Sequence, residues 1–92
     1  MSAQNVVVLD LETQKSFKEV GKAKLDKLKI SVTGLYDYLT KQFVCYEEKE
    51  MMQLEKRLQE ADLIVGFNIR RFDMPVLAPY FFTSVEGFPV LD

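Results

Sequence analysis

The stretch VVVLDLET, residues 6–13, decides how the rest of this sequence folds. Its run of large apolar residues predicts a strand in the middle of a covered sheet. Because side chains alternate along a strand, Asp10 and Glu12 point to one face, while Leu9 and Leu11 point to the other. Two neighbouring carboxylates repel each other and are costly to desolvate unless a cation or a proton lies between them. The pair therefore predicts a site for a hard divalent metal such as magnesium or manganese.

Composition limits the classes of protein that this sequence can belong to. Its 92 residues, 48% of them hydrophobic and 28% charged, are typical of one small soluble domain. No apolar run reaches the ~20 residues that cross a bilayer, and the N-terminus lacks the features of a secretory signal. We therefore expect a cytoplasmic protein with no membrane partner. The absence of histidine excludes His-based triads and His-ligated metals. The single cysteine, Cys45, excludes a disulfide framework, and we expect it to be buried.

Charge is distributed unevenly along the chain. The net charge is −2, but residues 15–29 contain six lysines against two acids, a local charge of +4, so the remainder carries −6. This asymmetry favours either one basic patch on an acidic body or a solvated, lysine-rich loop.

Hydrophobic periodicity predicts a hairpin after the first strand. Residues 14–27 are polar and have no sustained period, which is typical of a loop. Residues 28–38 then alternate with a period of two, with Ile30, Val32 and Tyr36 on one face. A short link leads to a second β-rich run at residues 42–46, so we expect these two strands to be antiparallel. Gly34 interrupts the first of them and predicts a bulge there.

The second half of the chain changes to a helical period. Residues 47–60 carry apolar side chains at helical spacing on an otherwise charged surface, which predicts an amphipathic helix. A crossover helix leading into the apolar residues 62–67 predicts a buried strand parallel to the first. Residues 68–71 are expected to form a loop, and Asp73 and Pro75 to start a second helix. The predicted order is β-β-β-α-β-α, with polar clusters at the carboxyl ends of the first and fourth strands.

Two motifs stand out in this order. The first is the Asp-x-Glu-Thr at residues 10–13, and the second is the Gly-x-Asn-x-x-x-Phe-Asp-x-Pro at residues 66–75. Together they resemble the motifs of the ribonuclease-H-like DEDD 3′-to-5′ exonucleases, in the form found in family-B DNA polymerase proofreading domains and related stand-alone exonuclease-like domains. The resemblance implies an α/β fold with a ribonuclease-H-like mixed sheet, and hydrolysis of DNA or RNA. It also implies that Asp10, Glu12 and Asp73 are catalytic metal ligands for two Mg²⁺ or Mn²⁺ ions. The nucleic-acid contacts expected beside them are Thr13, Lys15, Lys18, Asn68, Arg70 and Arg71.

The superfamily also has a fourth acidic ligand, in a Tyr-x-x-x-Asp or His-x-x-x-Asp context, that this sequence does not contain. We therefore expect residues 1–92 to be a single, incomplete domain, truncated before the last strand and helices, with weak or no activity alone. Such a domain exposes a sheet edge and apolar side chains, so we expect a homo-oligomer. The side chains expected to lack cover are Ile64, Val65, Tyr80, Phe81, Phe82 and Phe88.

Simpler explanations exist for each candidate residue. Asp10 and Glu12 are compatible with a solvated strand end, Asp73 with a helix N-cap, and Asn68 with a turn. Two functions therefore remain open from the sequence. One is a metal-dependent nuclease, and the other is a non-catalytic module that keeps the fold for nucleic-acid binding or assembly.

Overall fold

The computed structural model describes residues 4–14 and 29–92, which build a five-stranded mixed sheet with two α-helices. The helices are α1 (Met51–Glu60) and α2 (Met74–Leu77). The strands are β1 (Val6–Thr13), β2 (Ile30–Asp37), β3 (Gln42–Glu47), β4 (Leu63–Val65) and β5 (Val90–Leu91). The described residues do not include Lys15 or Lys18. Of the loop predicted at residues 14–27, they include only Gln14.

The strands lie in the order β3-β2-β1-β4-β5. β1 pairs with β2, and β2 with β3, in antiparallel fashion, whereas β1 pairs with β4, and β4 with β5, in parallel. The central position of β1, the hairpin and the parallel β1–β4 pair were all predicted and are confirmed. An α/β fold with a mixed sheet is therefore the architecture of this chain.

β5 is a strand that the predicted element order does not contain. The predicted order β-β-β-α-β-α is followed as far as α2, and then Val90 and Leu91 pair with Ile64 and Val65 of β4. Two residues are too few to produce an alternating pattern, so periodicity did not reveal this strand.

One face of the sheet packs against the helices to form the core. The alternation in β1 is as predicted, because Val7, Leu9 and Leu11 are buried while Asp10 and Glu12 are exposed. The opposite face is not fully covered, since Val6 and Val8 are only half-buried. The core also takes side chains from both helices, β2, β4 and the segments between them, among them Ile30, Leu35, Met51, Leu54, Leu58, Ile64, Ile69, Val76 and Leu77.

The alternation predicted for β2 is wrong because the bulge lies elsewhere. The β1–β2 register shifts between Glu12 and Thr13, where Glu12 pairs with Val32 and Thr13 with Ile30. The extra residue, Ser31, reverses the facing direction, so Ile30, Thr33 and Leu35 are buried while Val32 and Tyr36 are only half-buried. Gly34 stays in register opposite Asp10.

α1 matches the predicted amphipathic helix. A 3₁₀ turn (Glu48–Glu50) precedes it, and the Glu47 N–H donates to Glu50 Oε1 at 2.9 Å. Its buried side chains include Met51, Leu54 and Leu58, as the spacing predicted. Within residues 4–14 and 29–92, no helix is long and apolar enough to span a membrane.

A continuous helical segment, residues 69–80, follows β4. It consists of a π-helical turn (Ile69–Asp73), α2 and a 3₁₀ turn (Ala78–Tyr80). The loop predicted at residues 68–71 is therefore wrong, because a π-helical turn begins at Ile69. The α-helix itself begins at Met74, so the start predicted from Asp73 and Pro75 is confirmed. β4 ends at Val65, directly before the Gly-x-Asn sequence, and the π-helical turn begins directly after that sequence, at Ile69. The prediction placed the helix start at Asp73 and Pro75 and so did not include this turn.

The apolar surface differs from the one predicted. Ile64 and Phe88 are buried, and Tyr80 and Phe81 are half-buried against the core, whereas Phe82 is 89% exposed as expected. Val65 is half-buried. Further exposed apolar side chains lie on β3 and at its turn, namely Tyr38, Leu39, Phe43 and Val44. Cys45, also on β3, is exposed rather than buried, because β3 is an edge strand.

Candidate carboxylate site

The carboxyl ends of the three parallel strands bring polar residues to one part of the sheet. Val8 of β1 pairs with Val65 of β4, and Val65 pairs with Leu91 of β5. Two residues after Val8 comes Asp10, and directly after Leu91 comes Asp92. The residues that follow β4 run between these two acids into the helical segment.

Gly66 allows that segment to lie close against β1. A Cβ atom at this position would lie 3.0 Å from the backbone oxygen of Leu9 and 3.3 Å from Ile69 Cδ1. Contacts this short are tighter than most Cβ atoms make, so a side chain here would require the Leu9 backbone to shift by a few tenths of an ångström. Glycine in the second motif therefore has a packing role, since it brings the helical segment next to the strand that carries Asp10.

Asn68 makes the turn from strand to helix. Its φ of 56° and ψ of 33° are left-handed, a conformation that asparagine adopts more readily than most residues. Its backbone oxygen accepts a hydrogen bond from the Phe72 N–H at 3.0 Å, and its side chain is exposed and caps nothing. The backbone turn suggested by the sequence is observed, and the exposed amide is available for contact with a ligand.

Asp73 is the buried acid of the site. It is 5% exposed, lies within the helical segment with φ −60° and ψ −47°, and makes no side-chain cap. The N-cap explanation is therefore wrong for this residue. Its pKa is raised from 3.8 to about 7, chiefly by burial and then by the negative charge of Asp10. A hydrogen bond from its own backbone N–H lowers the pKa in part, and the charge of Asp92 makes the smallest contribution to raising it. Asp10 and Asp73, called here the acidic pair, therefore lie close enough for their charges to interact.

Glu12 is not brought into the same contact. It is exposed on the sheet face that Asp10 shares, and it pairs across the strands with Val32. Over residues 4–14 and 29–92, no group of three or more His, Cys, Asp or Glu side chains lies close enough to hold a metal ion. Of the three predicted ligands, Asp10 and Asp73 therefore lie close enough for their charges to interact, and Glu12 lies two residues farther along β1.

The chemistry of the acidic pair fits a hard cation. Carboxylate oxygens are preferred ligands of Mg²⁺ and Mn²⁺, and a buried carboxyl beside a second acid is stabilised in its ionised form by a positive charge. Such an ion would be held by Asp10 and Asp73.

Asp92 is a residue of this site that sequence reasoning missed. Its Oδ1 accepts a hydrogen bond from the Ile69 N–H, and its charge contributes to the raised pKa of Asp73. The signal that would have found it is an acid directly after an apolar strand, the same pattern that singled out Asp10.

Besides Asn68, three of the predicted nucleic-acid contacts lie in the described residues. Arg70 and Arg71 are exposed on the first turn of the helical segment, and Arg70 Nη2 donates to the Val90 oxygen at 3.3 Å. Thr13 is half-buried and pairs with Ile30 at the bulge. A cleft of about 300 Å³ opens beside Arg70, lined also by Met74, Pro75, Val85 and Glu86.

Phe67 is an exposed aromatic residue of the same region that was not predicted as a contact. Its side chain is 94% exposed between Gly66 and Asn68. An exposed ring three residues before an exposed arginine is the kind of surface on which an unpaired base stacks.

Comparison of the sequence with protein-family models gives no match, and comparison with curated proteins finds no relative.

Proposed function

We propose that this chain is a metal-dependent 3′-to-5′ exonuclease-like domain of the ribonuclease-H-like type, which hydrolyses phosphodiesters at the ends of DNA or RNA. The observation that carries the proposal is the buried carboxyl of Asp73 beside Asp10. Two acids 63 residues apart in the chain meet where parallel strands end, which is where α/β sheets gather their ligand sites.

The strand arrangement supports the same proposal. The sheet has three strands joined in antiparallel pairs, followed by two strands parallel to the first, in the order β3-β2-β1-β4-β5. We would expect this arrangement of a ribonuclease-H-like sheet. The motif residues also have local roles that fit. Gly66 permits close packing against β1, Asn68 makes the turn, and Asp73 lies one helical turn later.

The proposed reaction is difficult because of charge, since an anionic phosphodiester must be attacked and an alkoxide must leave. Divalent ions, when bound, would lower the pKa of the attacking water and stabilise the leaving oxygen. Asp10 and Asp73 would supply oxygen ligands for such ions. Arg70 and Arg71 supply positive charge for the flanking phosphates, and the exposed Phe67 offers a surface for the terminal base.

The second candidate function is a non-catalytic module that binds nucleic acid through the same surface. The observation that favours it is that, in the described parts of the chain, no third acid lies close enough to complete a metal site. The exposed Phe67, Asn68, Arg70 and Arg71 would serve binding without cleavage.

A nuclease assay separates the two candidates. Single-stranded DNA and RNA labelled at the 5′ end are incubated with the full chain and Mn²⁺, and binding is measured in parallel by fluorescence anisotropy at several salt concentrations. The exonuclease proposal predicts progressive shortening from the 3′ end that is lost in Asp10→Ala and Asp73→Asn. The matched control, Glu60→Gln, changes an exposed acid on α1 and should cleave like the wild type.

Salt-dependent binding that persists in Asp10→Ala, without cleavage by the wild type, would support the binding module instead. A wild-type protein that neither cleaves nor binds single strands and shows no affinity for Mn²⁺ by calorimetry would refute both candidates.

A further inference from the structure

The start of the helical segment depends on a residue from the far end of the described chain. The first N–H groups of a helix have no partner within the helix, and Asn68 provides no side-chain cap. Ile69 is fully buried, so an unsatisfied N–H there would be costly. The Asp92 carboxylate accepts this hydrogen bond and so replaces the missing cap.

Two further hydrogen bonds join β5 to the residues between β4 and Asp73. The Leu91 oxygen accepts the Gly66 N–H at 3.1 Å, and the Val90 oxygen accepts from Arg70 Nη2 at 3.3 Å. Three successive residues, 90–92, therefore each bind the turn that leads from β4 to Asp73. This places the carboxylate of Asp92 at the N-terminal turn of the helical segment.

We propose that Asp92 is a positioning residue of the candidate site, which holds Ile69, and with it the turn that carries Asp73, so that Asp73 faces Asp10. This proposal rests on the proposed function, in which the acidic pair holds a divalent cation. Asp92 acts through the backbone of Ile69.

The test compares Asp92→Ala, which removes both the acceptor and the charge, with Asp92→Asn, which keeps an acceptor oxygen and removes the charge. The matched controls are Glu86→Ala and Glu86→Gln, which change an exposed acid that lines the cleft beside Arg70. Three quantities are measured on the full chain by NMR and calorimetry: the hydrogen-exchange rate of the Ile69 amide, the carboxyl carbon shift of Asp73, and the affinity for Mn²⁺.

The proposal predicts that Asp92→Ala speeds Ile69 exchange and weakens Mn²⁺ binding, each by about tenfold or more, as expected for a lost charge-assisted hydrogen bond. Asp92→Asn should recover most of both, and the Glu86 variants should change neither. Unchanged Ile69 exchange in Asp92→Ala would overturn the proposal. So would an Asp92→Asn protein that protects Ile69 yet binds Mn²⁺ as poorly as Asp92→Ala, because Asp92 would then act through its charge.

A wild-type protein that binds no Mn²⁺ refutes the proposed function, and the role of Asp92 is then decided by the other two measurements. A moved Asp73 carboxyl shift together with faster Ile69 exchange in Asp92→Ala supports positioning, and the absence of either change overturns it.

Discussion

The buried carboxyl of Asp73 should make the protein less stable as pH rises through the neutral range. Its pKa is 3.8 in an unfolded chain and about 7 in the folded protein. Between these values the folded state binds more protons than the unfolded state, so the free energy of unfolding falls with increasing pH. The two pKa values differ by about three, and each pKa unit corresponds to ~1.36 kcal/mol. The free energy of unfolding therefore decreases by at most ~4 kcal/mol, and the whole decrease is present above pH ~8.

Asp73→Asn removes this penalty because asparagine has nearly the same shape and cannot ionise. We expect the free energy of unfolding of the variant to exceed that of the wild type by about 2–4 kcal/mol at pH 8 and to match it closely at pH 4. Urea denaturation followed by circular dichroism measures both values. Asp37 and Glu48, whose pKa values are lowered by their hydrogen bonds to Arg57 and Tyr80, affect wild type and variant alike.

Glu60→Gln serves as the control, since it makes the same acid-to-amide replacement at an exposed position on α1 and should not reproduce the gain in stability at pH 8. An Asp73→Asn protein that is no more stable than the wild type at pH 8 would refute the reasoning, because the carboxyl would then not be held in a buried, negatively charged environment. Adding Mg²⁺ at pH 8 should raise the stability of the wild type and not that of Asp73→Asn.

Three further predictions concern packing and association. Gly66→Ala should lower the free energy of unfolding by about 1–3 kcal/mol, because its Cβ would press against the Leu9 oxygen at 3.0 Å; a variant as stable as the wild type in urea would contradict this. Tyr80→Phe should cost about 1–3 kcal/mol in the same assay, because the buried Ile30 N–H loses the hydroxyl acceptor at 3.0 Å; no loss would mean that water replaces the hydroxyl. Wild-type protein should associate with increasing concentration in sedimentation equilibrium, and Phe43→Lys on the edge strand β3 should remain monomeric; a monomeric wild type would contradict the expectation.

Much of the fold could be predicted from the sequence because the strongest patterns were long. The apolar run of β1 and the helical period of α1 each extend over many residues, so their type and relative direction followed from period and connection length. The register of β2 could not be predicted in the same way. A bulge at Ser31 changes which residues face the core, and its position depends on pairing with β1.

The candidate site could be predicted only in part, for a related reason. The meeting of Asp10 and Asp73 followed from motif spacing and from the rule that sites gather at the carboxyl ends of parallel strands. Glu12 shares a face with Asp10, as alternation requires, but alternation does not determine how far along the strand the helical segment reaches. Asp92 was missed because β5 is only two residues long and its register is fixed by backbone contacts with β4.

The central claim, that the acidic pair is a buried site for a divalent cation, is tested most directly by following the carboxyl carbon of Asp73 by NMR across a pH titration, with and without Mg²⁺. The claim predicts a titration midpoint near pH 7 without the metal and a clearly lower midpoint when Mg²⁺ is present. A midpoint close to that of an ordinary aspartate, unchanged by Mg²⁺, would contradict it.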